Sequence, residues 1–448
     1  MKLVVIGGVA SGTSAAARAT RVNPDVEVTL YEKDDDISYA GCGLPYYISG
    51  VIEERSSLII NTPEKFSDKY GINMKTSHEV TKIDPENKKI YYKNFVNDEE
   101  GTDSYDKLII STGAEPIMPP IPGIELENIV SLRTVDHADR HKRITTNSEV
   151  NKVTIVGGGL IGMEMSEAYA ELGLEVTVVE KQDHILSLIN SELSEKVENH
   201  CRENGVEFYL GQGVTEFKGK DKVEKVILDS GKEIETDMVL MAIGIRPVSG
   251  LAAEAGIELG VKNSIKVNGR METNLDDIWA CGDCVQSVNL VSGHPAWVPL
   301  GSTANKQGRV AGENAVGGDN FHRGILGTGI TKVFDYCVAT TGIKEDEAEA
   351  AGFDPFSITI KAPNHSGYYP GFEYFSLRGI FDKETGRILG AEGVGRSGVD
   401  KRIDVLATAI YAEQTADDLF QIDLGYAPPY SVPKDPVAIL GMLAKKEI

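Results

Sequence analysis

Apolar positions fall into two kinds of run along the chain. The first kind is short, unbroken and ended by glycine, as expected for strands buried on both faces of a parallel sheet; examples are residues 2–7 and 152–156. A glycine-rich turn follows each, then a helical stretch (residues 13–21, and 160 to about 172), then another strand-like run at 26–32 and 175–180. Two such βαβ units, about 150 residues apart, predict an α/β protein with two doubly wound, Rossmann-type dinucleotide-binding domains. Residues 108–113 and 239–244 are further apolar runs ending at glycine, each followed closely by proline (Pro116, Pro247). They read as crossings of the chain between the two units. A last run of this kind, 277–280, ends in Cys281-Gly282-Asp283. The second pattern begins after about residue 325, where polar and apolar positions alternate between Gly- and Tyr-rich turns, predicting a separate α+β domain.

Composition narrows the partners. A formal net charge of -23 argues against nucleic acid or an anionic membrane as a general partner. No apolar run is long enough to span a bilayer, and Met1 leads directly into a strand rather than a basic-then-apolar signal segment, so the expected compartment is the cytoplasm. The five cysteines are odd in number and scattered, which is not a secreted disulfide framework and suits a reducing compartment.

The second glycine loop, Gly157-Gly158-Gly159-Leu160-Ile161-Gly162, fits G-x-G-x-x-G between a strand and a helix. Gly157 permits the turn, Gly159 lets a pyrophosphate approach the backbone, and Gly162 allows close helix–strand packing. Glu180, 18 residues past Gly162, is placed to accept from a ribose 2′-hydroxyl. A carboxylate there repels a 2′-phosphate and favours NADH, while Lys181 beside it leaves NADPH open. The first loop, Gly7-Gly8-Val9-Ala10-Ser11-Gly12, lacks the middle glycine; Glu32, 20 residues past Gly12 at a strand end, supports it. Two dinucleotide sites imply an exchangeable nicotinamide and a bound flavin that accepts its hydride, with FAD at the N-terminal unit. Asp283 reads either as a partner of the flavin's ribityl chain or as a helix cap.

Among the thiols, Cys42 sits in Ser38-Tyr39-Ala40-Gly41-Cys42-Gly43-Leu44-Pro45-Tyr46-Tyr47, at the start of a predicted helix. A helix N-terminus lowers a thiol pKa and favours the attacking thiolate. With no second cysteine nearby, an adjacent dithiol is not available. An isolated cysteine is otherwise a small buried hydrophobe. Cys281 and Cys284 have C-x-x-C spacing, yet no His pair or second C-x-x-C completes a zinc site, and a structural role is expected; no metal is expected. Cys201 and Cys337 are expected to be inert.

On these motifs, with Ser111-Thr112-Gly113-Ala114, Gly244-Ile245-Arg246-Pro247 and residues 299–309, the chain resembles the single-cysteine pyridine nucleotide-disulfide oxidoreductases: coenzyme A-disulfide reductases, NADH oxidases and NADH peroxidases. The resemblance covers essentially the full length. It implies an FAD-binding domain at 1–112 and 245–322, an NAD(P)H-binding domain at 113–244, and a C-terminal dimerisation domain at 323–448 that makes a homodimer. It also adds Lys33, Thr112, Gly113 and Ala304 to the cofactor contacts. Peroxidases and many oxidases of the group carry a histidine in the first loop at the position of Ala10, whereas coenzyme A-disulfide reductases carry a small apolar residue there, as this chain does. Those reductases present two tyrosines from the partner subunit to the redox cysteine; the matching positions are Tyr368 and Tyr426. The implied activity is NAD(P)H-dependent reduction of coenzyme A disulfide, or a related disulfide or persulfide, through Cys42, which can hold CoA as a mixed disulfide. An NADH oxidase passing through a Cys42 sulfenic acid is the alternative. An anionic CoA tail on an acidic protein needs local cations, for which Arg18 and Arg21 on the first helix are the candidates.

Overall fold

The computed structural model describes residues 1–147 and 149–448. Its first sheet has five parallel strands in the order Ile278–Ala280, Lys107–Ile110, Lys2–Ile6, Glu27–Tyr31, Asn73–Lys75. Chain from both sides of the second unit therefore builds one sheet. The second sheet is also parallel, ordered Glu207–Leu210, Glu175–Glu180, Lys152–Val156, Met238–Met241, Ile129–Val130. Such strands are covered on both faces, which is why their sequences are apolar throughout rather than alternating. A three-stranded antiparallel sheet accompanies each unit, at residues 78–104 and 214–235. Where the chain crosses between units, Ala114–Pro116 pairs antiparallel with Ile245–Pro247.

The first helix, Ala10–Val22, begins three residues earlier than the sequence pattern suggests, because the chain turns at once at Gly7, whose φ is +98°. Its alanine face packs on helix Gly301–Ala315 at backbone contact distance. A Cβ on Gly308 would lie 2.2 Å from the Ser11 carbonyl oxygen, and one on Gly312 would lie 2.1 Å from that of Ala15. Small residues at these positions bring the 301–315 helix over the first glycine loop.

The third unit is a five-stranded antiparallel sheet, ordered Gly329–Val333, Tyr336–Gly342, Ile388–Gly395, Tyr374–Asp382, Pro355–Pro363. Helices Val399–Tyr411, Ala416–Gln421 and Pro436–Ala444 bury Leu406, Leu419 and Leu440 in its core. No described helix is long and apolar enough to cross a membrane.

Candidate active site

Both glycine loops are braced by the acid at the end of the next strand. The Glu32 carboxylate accepts from the Gly8 N–H at 2.6 Å and the Asp34 N–H at 3.1 Å; Glu180 accepts from Gly158 at 2.6 Å and Gln182 at 2.8 Å. Each oxygen holds one N–H and keeps a further lone pair for a ribose hydroxyl. Burial pushes the Glu32 carboxyl above its ordinary range, against the pull of those two N–H groups. Gly157 turns at φ +111°, and a Cβ there would meet the Ala242 carbonyl oxygen at 2.4 Å. Gly12 and Gly162 lie against Gly7 and Gly157, at 1.8 and 2.1 Å from the same hypothetical atom. Gly159 differs: it starts helix Leu160–Glu171 in an extended conformation, with no atom within 4 Å of a Cβ. That open backbone fits a pyrophosphate at the second loop, and the braced acids fit a ribose hydroxyl at both.

Lys33 is exposed beside Glu32. The Thr112 hydroxyl donates to the Val248 carbonyl at 2.5 Å, and Gly113 turns at φ +74°, which fixes the crossing between the units. Ala304 is buried in the first turn of helix Gly301–Ala315, and together with Gly282, Asp283 and Gln307 it lines a small cavity. The Asp283 carboxylate does not cap a helix. It accepts from Arg133 at 2.7 Å, while the Asp283 carbonyl accepts from the Trp297 indole at 2.8 Å.

Cys42 is exposed in the single chain, in the 3₁₀ turn Gly41–Gly43 that leads into helix Leu44–Ser49. The expectation of a lowered thiol pKa is not met. Partial desolvation by the surrounding chain raises it although the residue is open to solvent, the Glu164 and Asp283 carboxylates add to the rise, and Arg133 opposes it. The helix is a turn and a half long, too short for its dipole to outweigh two carboxylates. Glu164 is a feature that the sequence reading missed. It stands two residues past Gly162, accepts from the Thr331 hydroxyl at 2.7 Å, and is itself pushed up by burial, with Glu167 adding to that. Tyr46 feels the same acids and Cys42, so its phenol is also raised, chiefly by burial. A signal for Glu164 existed, since position i+2 after the last loop glycine lies one helical turn in. Arg133 had none, because the loop that carries it follows no motif.

The remaining thiols are shielded. Cys201, Cys281 and Cys284 are fully buried, and burial pushes the first to about 12. Cys337 is half-buried in strand Tyr336–Gly342, and burial holds it at about 11. Among the described residues no cluster of His, Cys, Asp or Glu could hold a metal.

Tyr368 and Tyr426 come from different loops of the third unit, yet their hydroxyls lie 3.2 Å apart. They are 77% and 45% exposed, and Tyr369 and Tyr430 beside them in sequence are exposed as well, which marks an aromatic face built for contact. The hydrogen bond raises the Tyr368 phenol and holds that of Tyr426 below its ordinary value, with Ser366 adding to the latter. Arg18 and Arg21 do not act alike. Arg18 is paired with Glu313 at 2.6 Å, whereas Arg21 reaches the Tyr70 hydroxyl at 3.0 Å. Arg21 and Lys69 each lie 5.1 Å from the Tyr70 ring centroid, beside a cavity of about 490 Å³ at the C-terminal end of the first helix.

Two braced glycine loops on separate parallel sheets, with one accessible thiol between acids, define a two-dinucleotide redox enzyme. The model of the pyridine nucleotide-disulphide oxidoreductases matches residues 1–308, and that of their dimerisation domain matches residues 329–436. The chain belongs to the pyridine nucleotide-disulphide oxidoreductase family, which uses FAD and NAD(P)H. It is 36% identical over 446 residues to the NAD(P)H sulfur oxidoreductase (CoA-dependent) of Pyrococcus abyssi, covering 99% of this chain and 98% of that one. It is 34% identical over 445 residues to the coenzyme A disulfide reductase of Staphylococcus haemolyticus, covering 99% of each. The crystal structure of reduced Bacillus anthracis CoADR-RHD matches with a TM-score of 0.97 and 41% identity, covering 100% of this chain and 80% of that one.

Proposed function

We propose that this protein reduces coenzyme A disulfide, or a closely related CoA persulfide or mixed disulfide, with NAD(P)H through Cys42, as a homodimer in the cytoplasm. The observation that carries the reading is the contrast among sulfurs. Cys42 is accessible and stands alone, while Cys201, Cys281 and Cys284 are sealed in the core. A cysteine with no internal partner forms its disulfide with a sulfur from the substrate. When bound, FAD accepts a hydride from the nicotinamide and supplies the electron pair that reduces sulfur. The Gly7–Gly12 loop with Glu32, and Lys33, Thr112, Gly113, Asp283 and Ala304, would hold the flavin nucleotide. Gly157, Gly159, Gly162 and Glu180 would hold the nicotinamide nucleotide. On this reading the flavin would lie in residues 1–112 with 245–322, the nicotinamide nucleotide in 113–244 and the subunit contact in 323–448.

The Cys42 thiolate attacks one sulfur of the substrate. A Cys42–S–CoA bond forms, the substrate S–S bond breaks, and the first CoA leaves as a thiolate. Two electrons and a proton then release the second CoA and restore the Cys42 thiolate, so one disulfide yields two thiols. Tyr426, its phenol held low by Tyr368, would donate the proton to the leaving thiolate across the dimer interface. Arg21 with Lys69 around Tyr70 would take the phosphates of the CoA tail, whereas Arg18 would act only through its pair with Glu313.

Mass spectrometry of protein purified without reductant should find a CoA-sized adduct on Cys42, and Cys42→Ser should retain flavin but lose disulfide turnover. Full turnover by Cys42→Ser would overturn the assignment. Steady NADH-dependent oxygen uptake above the disulfide rate, with a sulfenic acid and no adduct, would replace it with oxidase chemistry.

A further inference from the structure

Arg402 has no place in the chemistry described so far, yet it is among the largest fully buried side chains of the molecule, 1% exposed. It projects from helix Val399–Tyr411 beneath the two loops that carry the tyrosines. Its guanidinium donates to the Asn364 carbonyl at 3.2 Å, immediately before the Tyr368 loop. It also donates to the Ser431 hydroxyl at 3.1 Å and the Asp435 carboxylate at 2.9 Å, both just beyond Tyr426, and to its own helix at the Gly398 carbonyl at 3.2 Å. Gly398 has to be glycine for this approach, since it sits at φ +83° and a Cβ would lie 2.6 Å from the guanidinium.

The clamped ends are also joined directly. The Ser366 N–H donates to the Pro428 carbonyl at 3.2 Å, and its hydroxyl to the Ser431 carbonyl at 3.2 Å. Ser431 in turn donates to Asp435 at 2.5 Å, and Asp435 caps helix Pro436–Ala444 through the Val437 N–H. A buried ion pair adds little net stability compared with well-packed apolar side chains, and its retention is better explained where it fixes one geometry. Here the geometry it fixes is the meeting of two loops whose bases, Asn364 to Ser366 in one and Ser431 and Asp435 in the other, are buried while their tyrosines are exposed.

We infer that Arg402 is a positioning residue for the reaction: by clamping the 364–371 and 425–435 loops from below, it holds the Tyr368 and Tyr426 hydroxyls together at the surface presented to the partner subunit. The inference rests on the tyrosine roles proposed above. Lysine in its place would keep a charge against Asp435 but present no fork able to reach Asn364, Ser431 and Gly398 together. The two loops then lose their common register, and Tyr426 loses the hydrogen bond that holds its phenol low.

The test uses the full-length holoenzyme with coenzyme A disulfide, and with ferricyanide as an electron acceptor that needs neither Cys42 nor the tyrosines. Tyr426→Phe should lower kcat for the disulfide about a hundredfold, in the range a general acid contributes. Arg402→Lys should lower it about tenfold, with KM for NADH and the ferricyanide rate at wild-type values and the alkaline limb of the disulfide pH profile moved upward. In the Tyr426→Phe background, Arg402→Lys should add no further loss, as expected of residues acting through one group. Losses that multiply, or an Arg402→Lys enzyme with a wild-type disulfide rate and pH profile, would overturn the positioning role. Wild-type turnover by Tyr426→Phe would overturn the tyrosine mechanism itself, which separates the two failures. If Arg402→Lys does not fold, Ser431→Ala decides, because it removes one clamp point and touches neither tyrosine. A roughly threefold loss that vanishes in the Tyr426→Phe background supports the clamp, and an unchanged rate refutes it.

Discussion

Gly159 separates what the fold needs from what the nucleotide needs, and replacing it with alanine tests that separation. Its φ of -78° and ψ of -170° are accessible to any residue, and a new methyl would meet no atom within 4 Å. The folded chain therefore accepts alanine, and the smaller freedom of the unfolded chain adds about 0.4–1 kcal/mol of stability. In a chain of this size that moves Tm by no more than about 2 °C, upward. The methyl does, however, occupy the open backbone over which a pyrophosphate would settle. Loss of one or two charge-assisted N–H contacts at about 1.5 kcal/mol each predicts a fall of roughly ten- to a hundredfold in NADH affinity. Steady-state KM for NADH with ferricyanide as acceptor measures the binding loss, and a thermal melt of the same sample measures the fold. Gly157→Ala is the control: at φ +111° and 2.4 Å from the Ala242 carbonyl oxygen it should lower Tm outright. An unchanged KM in Gly159→Ala, or a Tm lowered by several degrees, would show that the open space is not the nucleotide cradle.

Two further outcomes follow from charges in the core and at the loop. His141 is fully buried between the Tyr169 hydroxyl and the Ser131 carbonyl, and burial lowers its pKa from 6.5 to about 4. A depressed folded-state pKa means the unfolded chain binds the proton first, so stability is complete above about pH 6.5 and falls as pH drops towards 4, by about 3 kcal/mol at most. Denaturant titrations at pH 7 and 4.5 should show that loss, and His141→Gln should flatten the slope; equal pH dependence in both proteins would refute it. Glu180→Ala removes the carboxylate that braces Gly158 and repels a 2′-phosphate, so the ratio of kcat/KM for NADPH over NADH should rise at least about tenfold. A ratio that stays constant would move nucleotide selectivity elsewhere.

The parts of the fold that local periodicity encodes were legible in advance. Lys152–Val156 and Glu175–Glu180 have the bounds their apolar runs suggest, because a strand buried on both faces leaves no ambiguity of register. The sequence pattern starts helix Ala10–Val22 three residues late, since Ser11 and Gly12 are weak helix formers and the early start is set by the turn at Gly7. The thiol's electrostatics escape the sequence for a related reason. The sequence displays the helix start after Cys42, but not the Glu164 and Asp283 carboxylates that the fold brings from 122 and 241 residues away. Arg133 and Arg402 were invisible in the same way. Each works through partners distant in sequence, Asp283 for the one and Asn364 and Asp435 for the other, and no spacing rule joins them.

The sealed pair Cys281 and Cys284 has a consequence for how the protein meets an oxidising environment. Both sulfurs are at 0% exposure, and burial keeps them protonated, so neither offers a thiolate to peroxide or to an alkylating reagent. Oxidants therefore meet Cys42, the exposed thiol, before either of these. The strand end that carries Asp283 would keep its shape while oxidation proceeds at the exposed Cys42 thiol.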